Sequence, residues 1–150
     1  MSSLARLLRL RSLLEDVSRA ALQSEASRAR QIETALQSHE TGIAAARVAG
    51  FDALLAAETP LWLMAEATRE VGRWQVKQLK PLLERQRQRV DAAEQAYFEK
   101  RRERRQVETV LHAQRQAREL EQARREQQQM DEWHASRAVA LKQRAARHLR

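Results

Sequence analysis

Cysteine is absent from this chain, glycine occurs three times and proline twice in 150 residues, and aromatic residues make up only 4%. The first absence excludes disulfide staples and thiolate metal sites. The scarcity of glycine and proline removes most of the turn chemistry that a sheet or a multi-element domain requires, so the chain is expected to be helical nearly throughout. With so few aromatics, and an apolar fraction of 43% that is mostly Ala and Leu, a core built on large buried anchors is excluded as well. No apolar run is long enough to span a bilayer, and the start, MSSLARLLRLRSLLED, lacks the features of a secretory signal. The expected location is cytoplasmic.

Catalytic patterns are also missing. There is no glycine-rich phosphate loop, no paired-histidine metalloprotease motif and no nucleophile elbow, and His39, His112, His134 and His148 are scattered singly. A site requires convergent partners, so no histidine is given a catalytic or metal-binding role. The expectation is a non-enzyme without cofactor or metal.

What the chain does contain is charge and helical periodicity. The formal net charge is +8, and residues 76–150 carry the whole excess, nineteen Lys/Arg against eleven Asp/Glu. Such a surface suits nucleic acid, an anionic membrane or an acidic protein cavity. Leu4, Leu7, Leu10, Leu14, Val17 and Ala21 recur at steps of three and four, and predict an amphipathic helix over residues 4–49. Punctuation follows at Gly50, at Thr59-Pro60 and at Pro81. From Pro81 onward Leu83, Val90, Ala93, Tyr97, Val107, Leu111 and Met130 keep the same spacing, so a longer helix is predicted over 81–147.

The expected fold is therefore all-α: one domain over 1–150, an elongated antiparallel two-helix coiled-coil hairpin, with residues 50–80 forming a tip of short helices. At ~1.5 Å per residue the rods would be roughly 70 Å and 100 Å long. If Ala49 lies level with Pro81, Leu4 lies level with about Glu126, and the rest of the second helix overhangs without an intramolecular partner. The seam is expected to be poor, because Arg104, Gln114 and Arg118 on one helix and Ser24 and Arg28 on the other take core-spaced positions.

Three stretches stand out as candidate contact regions. The run Lys100, Arg101, Arg102, Arg104 and Arg105 spreads over about 200° of helix circumference and is interrupted by Glu99 and Glu103, so it makes no clean stripe for nucleic acid. Phe51, Leu54, Leu55, Leu61, Trp62, Leu63, Met64 and Trp74 fall in a segment too short to enclose them all, and exposed clusters of this type mark protein partners. The third is RREQQQMDEWHASRA, where Met130, Trp133 and His134 interrupt a run of Gln, Arg and Ala at the place where the overhang is expected.

LARLLRLRSLLED, RRERRQVETVLHAQRQARELEQARREQQQMDEW and the plan of two long helices resemble the FliJ family of flagellar type III export proteins over nearly the whole chain. Met130, Asp131, Glu132 and Trp133 fit the family's C-terminal pattern of a basic, glutamine-rich run followed by Met or Leu, then Asp-Glu and an apolar residue. Injectisome stalk proteins of the YscO type share the architecture. The resemblance implies a central stalk, similar in fold to the rotary ATPase gamma subunit, that inserts into the hexameric ring of the export ATPase and reaches the cytoplasmic domain of the export gate protein FlhA. It also implies a part in delivering substrates or export chaperones, monomeric behaviour, and a place at the inner membrane that is peripheral, through partners. On this basis Leu4, Leu7, Leu8, Met130, Asp131, Glu132, Trp133 and Arg137 are the expected ATPase-ring contacts. Phe51, Leu54, Leu55, Leu61, Trp62 and Trp74 are the expected export-gate contacts. Two readings of other classes remain open: a generic coiled-coil adaptor or homodimer, and a basic helical nucleic-acid binder, which the balanced first half and the lack of stacking aromatics disfavour.

Overall fold

The computed structural model describes residues 3–148, with side chains through residue 144. Two helices account for nearly all of it, α1 (Ser3–Leu55) and α2 (Thr59–His148). Their internal contacts divide the chain into two units, Arg9–Arg104 and Met1–Leu8 with Arg105–Arg150.

In the unit Arg9–Arg104 the helices pack against each other as a hairpin. Arg11 pairs with Glu103, Glu15 with Arg104, Gln86 with Glu25, and Arg87 with Glu33, so partners descend along α2 as α1 is climbed. The protected positions on α1 include the row Arg11, Glu15, Ser18, Leu22, Glu25, Ala29, Ile32, Leu36, His39, Ile43, Ala46, Gly50 and Ala53, with Ser12, Ala26 and Ala35 partly covered beside it. On α2 they run from Trp62, Ala65, Arg69 and Gly72 through Leu83 and Gln86 to Tyr97, Lys100 and Arg104. Steps of three and four alternate throughout, which is the seven-residue repeat of helices packed along a narrow seam. The seam is shallow. Its buried apolar members here are Ala29, Ala46, Ala53, Ala65 and Leu83, and no described side chain falls below 2% exposure.

Four expectations are corrected. Residues 50–80 form no tip of short helices: α1 runs on through Leu55, and the residues after Thr59 already belong to α2. Gly50 does not end a helix; a Cβ there would lie 3.3 Å from the Cβ of Ala65, so its smallness serves close helix approach. The same holds more strongly at Gly72, where a Cβ would stand 2.6 Å from Cγ1 of Ile43. Pro81 lies inside α2, on its exposed side, where the Lys77 carbonyl that loses its amide partner can be hydrated. Because the turn falls at residues 56–58, Ala49 is not level with Pro81, and the register shifts by about two heptads.

The turn closes without glycine. The Glu58 amide donates to the Ala53 carbonyl at 2.9 Å and the Ala57 amide to Leu54 at 3.1 Å, the double bond pattern of a Schellman ending. Ala57 takes the left-handed position with φ 56°. For a residue with a Cβ that conformation costs roughly 1–2 kcal/mol. Ala57→Gly is therefore expected to stabilise the hairpin by about 1 kcal/mol and raise the thermal midpoint by ~2–4 °C, read by circular dichroism. A lowered midpoint would show that the turn is not held in this form. The Glu58 carbonyl then accepts from Trp62, so Glu58, one residue earlier than expected, is the N-cap of α2, and Pro60 sits in the first turn, where an amide is dispensable.

The largest departure concerns α1. Leu10, Leu14 and Val17, expected in the seam, are 52%, 37% and 68% exposed, while Arg11, Glu15 and Ser18 face α2. Arg104 lies in the seam as expected, but Ser24, Arg28, Gln114 and Arg118 are exposed.

Candidate functional site

In the unit that holds the C-terminal part of α2, Val107 and Leu111 are the last protected residues of that helix, and every described side chain from His112 to Arg144 is exposed. The arithmetic of the helices explains this. α1 has 53 residues and α2 has 90, so α2 is far longer than α1 can cover one for one. What holds this stretch helical is local: Arg125 pairs with Glu121, Gln122 donates to Glu126, and Gln127 donates to Asp131 at 3.1 Å, all at the i,i+4 spacing that brings side chains together.

Met130 is 55% and Trp133 52% exposed, so neither is covered by the first turns of α1. The Arg137 guanidinium lies over the Trp133 ring at 5.2 Å, and His134 meets the same ring edge-on at 4.9 Å. A cation on its face and an edge contact hold the indole in one orientation while leaving half of it to solvent. Asp131 and Glu132 are exposed as well. At ~100° per residue Met130, Trp133 and Arg137 share one accessible face of the helix, while Asp131 and Glu132 point away from it, so the structure brings only part of the expected group together. Leu4 and Leu8 are half-buried and Leu7 is 37% exposed, so only Leu7 offers a free face near the N-terminus.

The loop end of the hairpin exposes Phe51, Leu54, Leu55, Leu61 and Trp74 by 53–74%. Trp62 is partly covered. Phe51, Leu54 and Trp62 line an open groove of about 780 Å³ with Ile43 and Val48, closed at its polar edge by Arg47, Arg69, Glu40 and Glu66. Leu61 belongs to a second groove of about 690 Å³, floored by Ala45, Ala46, Ala49 and Ala53. Leu55 and Trp74 line neither, so the six residues expected to act together are divided among different faces of one apolar end.

The basic run is not a patch. Arg104 turns inward to the carboxylate of Glu15, and Lys100 sits 3.3 Å from Glu103, whose other partner is Arg11. Arg19 completes the cluster, 3.2 Å from Glu15 and 5.7 Å from the Tyr97 ring centre. Its interaction with Tyr97 holds its pKa above the ordinary arginine value, so it stays cationic. This cluster was missed from the sequence, where half of it lies on each helix.

Among the described residues no group of His, Asp and Glu side chains could hold a metal ion, and no helix is long and apolar enough to cross a membrane. His39 is a half-buried seam residue, His112 and His134 are exposed, and the His148 side chain lies outside the described residues.

These features define a helical-hairpin protein that exposes apolar side chains at its loop end and along the C-terminal part of α2. Residues 1–144 match the family described as flagellar FliJ protein, and the chain belongs to that family. It is therefore a component of flagellar protein export. No curated protein and no solved structure shows significant similarity to it.

Proposed function

We propose that this chain is the non-catalytic central stalk of the export ATPase, an antiparallel coiled coil whose C-terminal end enters the ATPase ring and whose loop end meets the cytoplasmic domain of the export gate. The observation that carries this reading is the run of exposed side chains from His112 to Arg144, with a single patch of Met130, Trp133 and Arg137 on it. A helix that enters a ring of repeated subunits needs a slender end with a few apolar anchors. It also needs charges that can meet successive subunits, a role that fits Asp131, Glu132 and Arg137. Leu7 would add to the same contact. The chain acts as a monomer in this role, reaches the membrane only through its partners, and assists delivery of substrates or their chaperones.

The loop end supplies the second contact. Exposed Phe51, Leu54, Leu55, Leu61 and Trp74 form more apolar surface than a protein shows without use for it. A pull-down against the ATPase and against the gate domain, run separately, tests the whole reading. Trp62→Ala with Trp74→Ala is expected to weaken gate binding by about 30-fold or more, the effect of losing an aromatic anchor worth ~2 kcal/mol, with ATPase binding unchanged. Equal loss toward both partners, with lost helicity, would make these tryptophans structural.

A further inference from the structure

The first turns of α1 face the wrong way for a simple hairpin. Leu10, Leu13, Leu14 and Val17 are 52%, 56%, 37% and 68% exposed. At ~100° per residue they occupy a sector of about 100°, a continuous aliphatic stripe. The same turns send Arg11 and Glu15 into the seam, where they meet Glu103 and Arg104. A rotation of α1 by about a third of a turn would bury the leucines and return both charged residues to water. The cross-helix ion pairs hold the opposite choice, so the stripe is kept outside although an inward alternative exists in the same helix.

Two features say what covers it. Leu10, Leu14, Val17 and Ala21 step by four, three and four residues, the alternation that the α1–α2 seam itself uses, and a third helix packs on such a row knob into hole. The edge of the stripe is cationic. Arg9 is exposed there, Arg6 is exposed one turn earlier with no acidic residue in the first fourteen, and Asp16 on the same edge is held by Arg19 at 3.2 Å. We propose that the Leu10–Val17 stripe docks an amphipathic helix of a partner protein that carries Asp or Glu beside its apolar row. A second copy paired on the same stripe would set one cationic edge against another, which disfavours it. A partner protein adds contacts of its own beyond the stripe. Leu7, which the proposed ring contact would use, lies one turn before Leu10 on α1, so a crosslinked peptide of the export ATPase would extend that contact and overturn a separate partner.

A photo-crosslinking amino acid placed at Leu13 of the full chain, in its native cell, reads the occupant directly, with exposed Gln31 as the control position. The expected product is a peptide of another protein with aliphatic residues at three-four spacing flanked by Asp or Glu. Its yield should fall about tenfold with Leu10→Ser and Val17→Ser, while the melting curve of the purified variant stays unchanged because both side chains are more than half exposed. Arg9→Glu should lower the yield by about threefold or more through like-charge repulsion. Crosslinks only to a second copy, only to lipid, or none above the Gln31 level would overturn the docking of a partner helix. An unchanged yield with Arg9→Glu would overturn its acidic character.

Discussion

Glu15→Ala should destabilise the hairpin by about 3 kcal/mol, although it deletes one carboxylate on a chain rich in them. The Glu15 side chain is only 5% exposed and is held by Arg104 and Arg19. Removing it leaves the Arg104 guanidinium, itself 24% exposed, facing the seam without that carboxylate. For a chain of this size the loss corresponds to a drop of roughly 6–12 °C in the thermal midpoint. Glu15→Leu combined with Arg104→Leu should behave in the opposite way, with stability near or above that of the parent, because both charges leave the seam together and packing replaces them. If the single variant melts within about 2 °C of the parent, Glu15 is not part of the packed seam.

The outward leucines follow from the same cluster. A hydrophobic pattern ranks Leu7, Leu10, Leu14 and Val17 as the buried row, and the row about 100° away, Arg11, Glu15 and Ser18, as the wet one. That ranking compares each row with water. It does not contain the carboxylate of Glu103 or the guanidinium of Arg104, some ninety residues away, which turn the polar row into the better match for α2. On α2, Leu83, Val90, Ala93, Tyr97, Val107 and Leu111 could be read as the protected face from spacing alone, and they are all buried or half-buried, but Ala117, Leu120, Ala123, Gln127 and Met130, which continue the same series, are exposed.

The turn was misread for a related reason. Gly50 and Pro81 carry strong local signals, but Gly50 is needed for close approach to Ala65, and Pro81 is tolerated at an exposed helix position. The real break at Ala56-Ala57-Glu58 has weak local signals and closes through backbone hydrogen bonds to Asp52, Ala53 and Leu54. Two long helices of unequal length were legible, because that requires only composition and period. The exposure of Met130 and Trp133 was also legible, since it depends on little outside their own helix.

The central claim is that this patch serves a partner and not the fold. Met130→Ala with Trp133→Ala removes two side chains that are more than half exposed in a stretch where no described residue is buried. Residues of this kind contribute little to folding, and surface changes of this type usually shift stability by less than about 0.5 kcal/mol. The same two side chains would be the main apolar anchors in the ring, where loss of an aromatic anchor alone costs ~2 kcal/mol or more. Charge reversal of Asp131 and Glu132 to Lys should add a salt-dependent change in association, since both are exposed. The decisive measurement is stimulation of the export ATPase by the double alanine variant, read beside its melting curve. The account predicts that stimulation is lost while the thermal midpoint stays within about 2 °C of the parent. Full stimulation by a variant that melts normally, or a large fall in the midpoint, would contradict it.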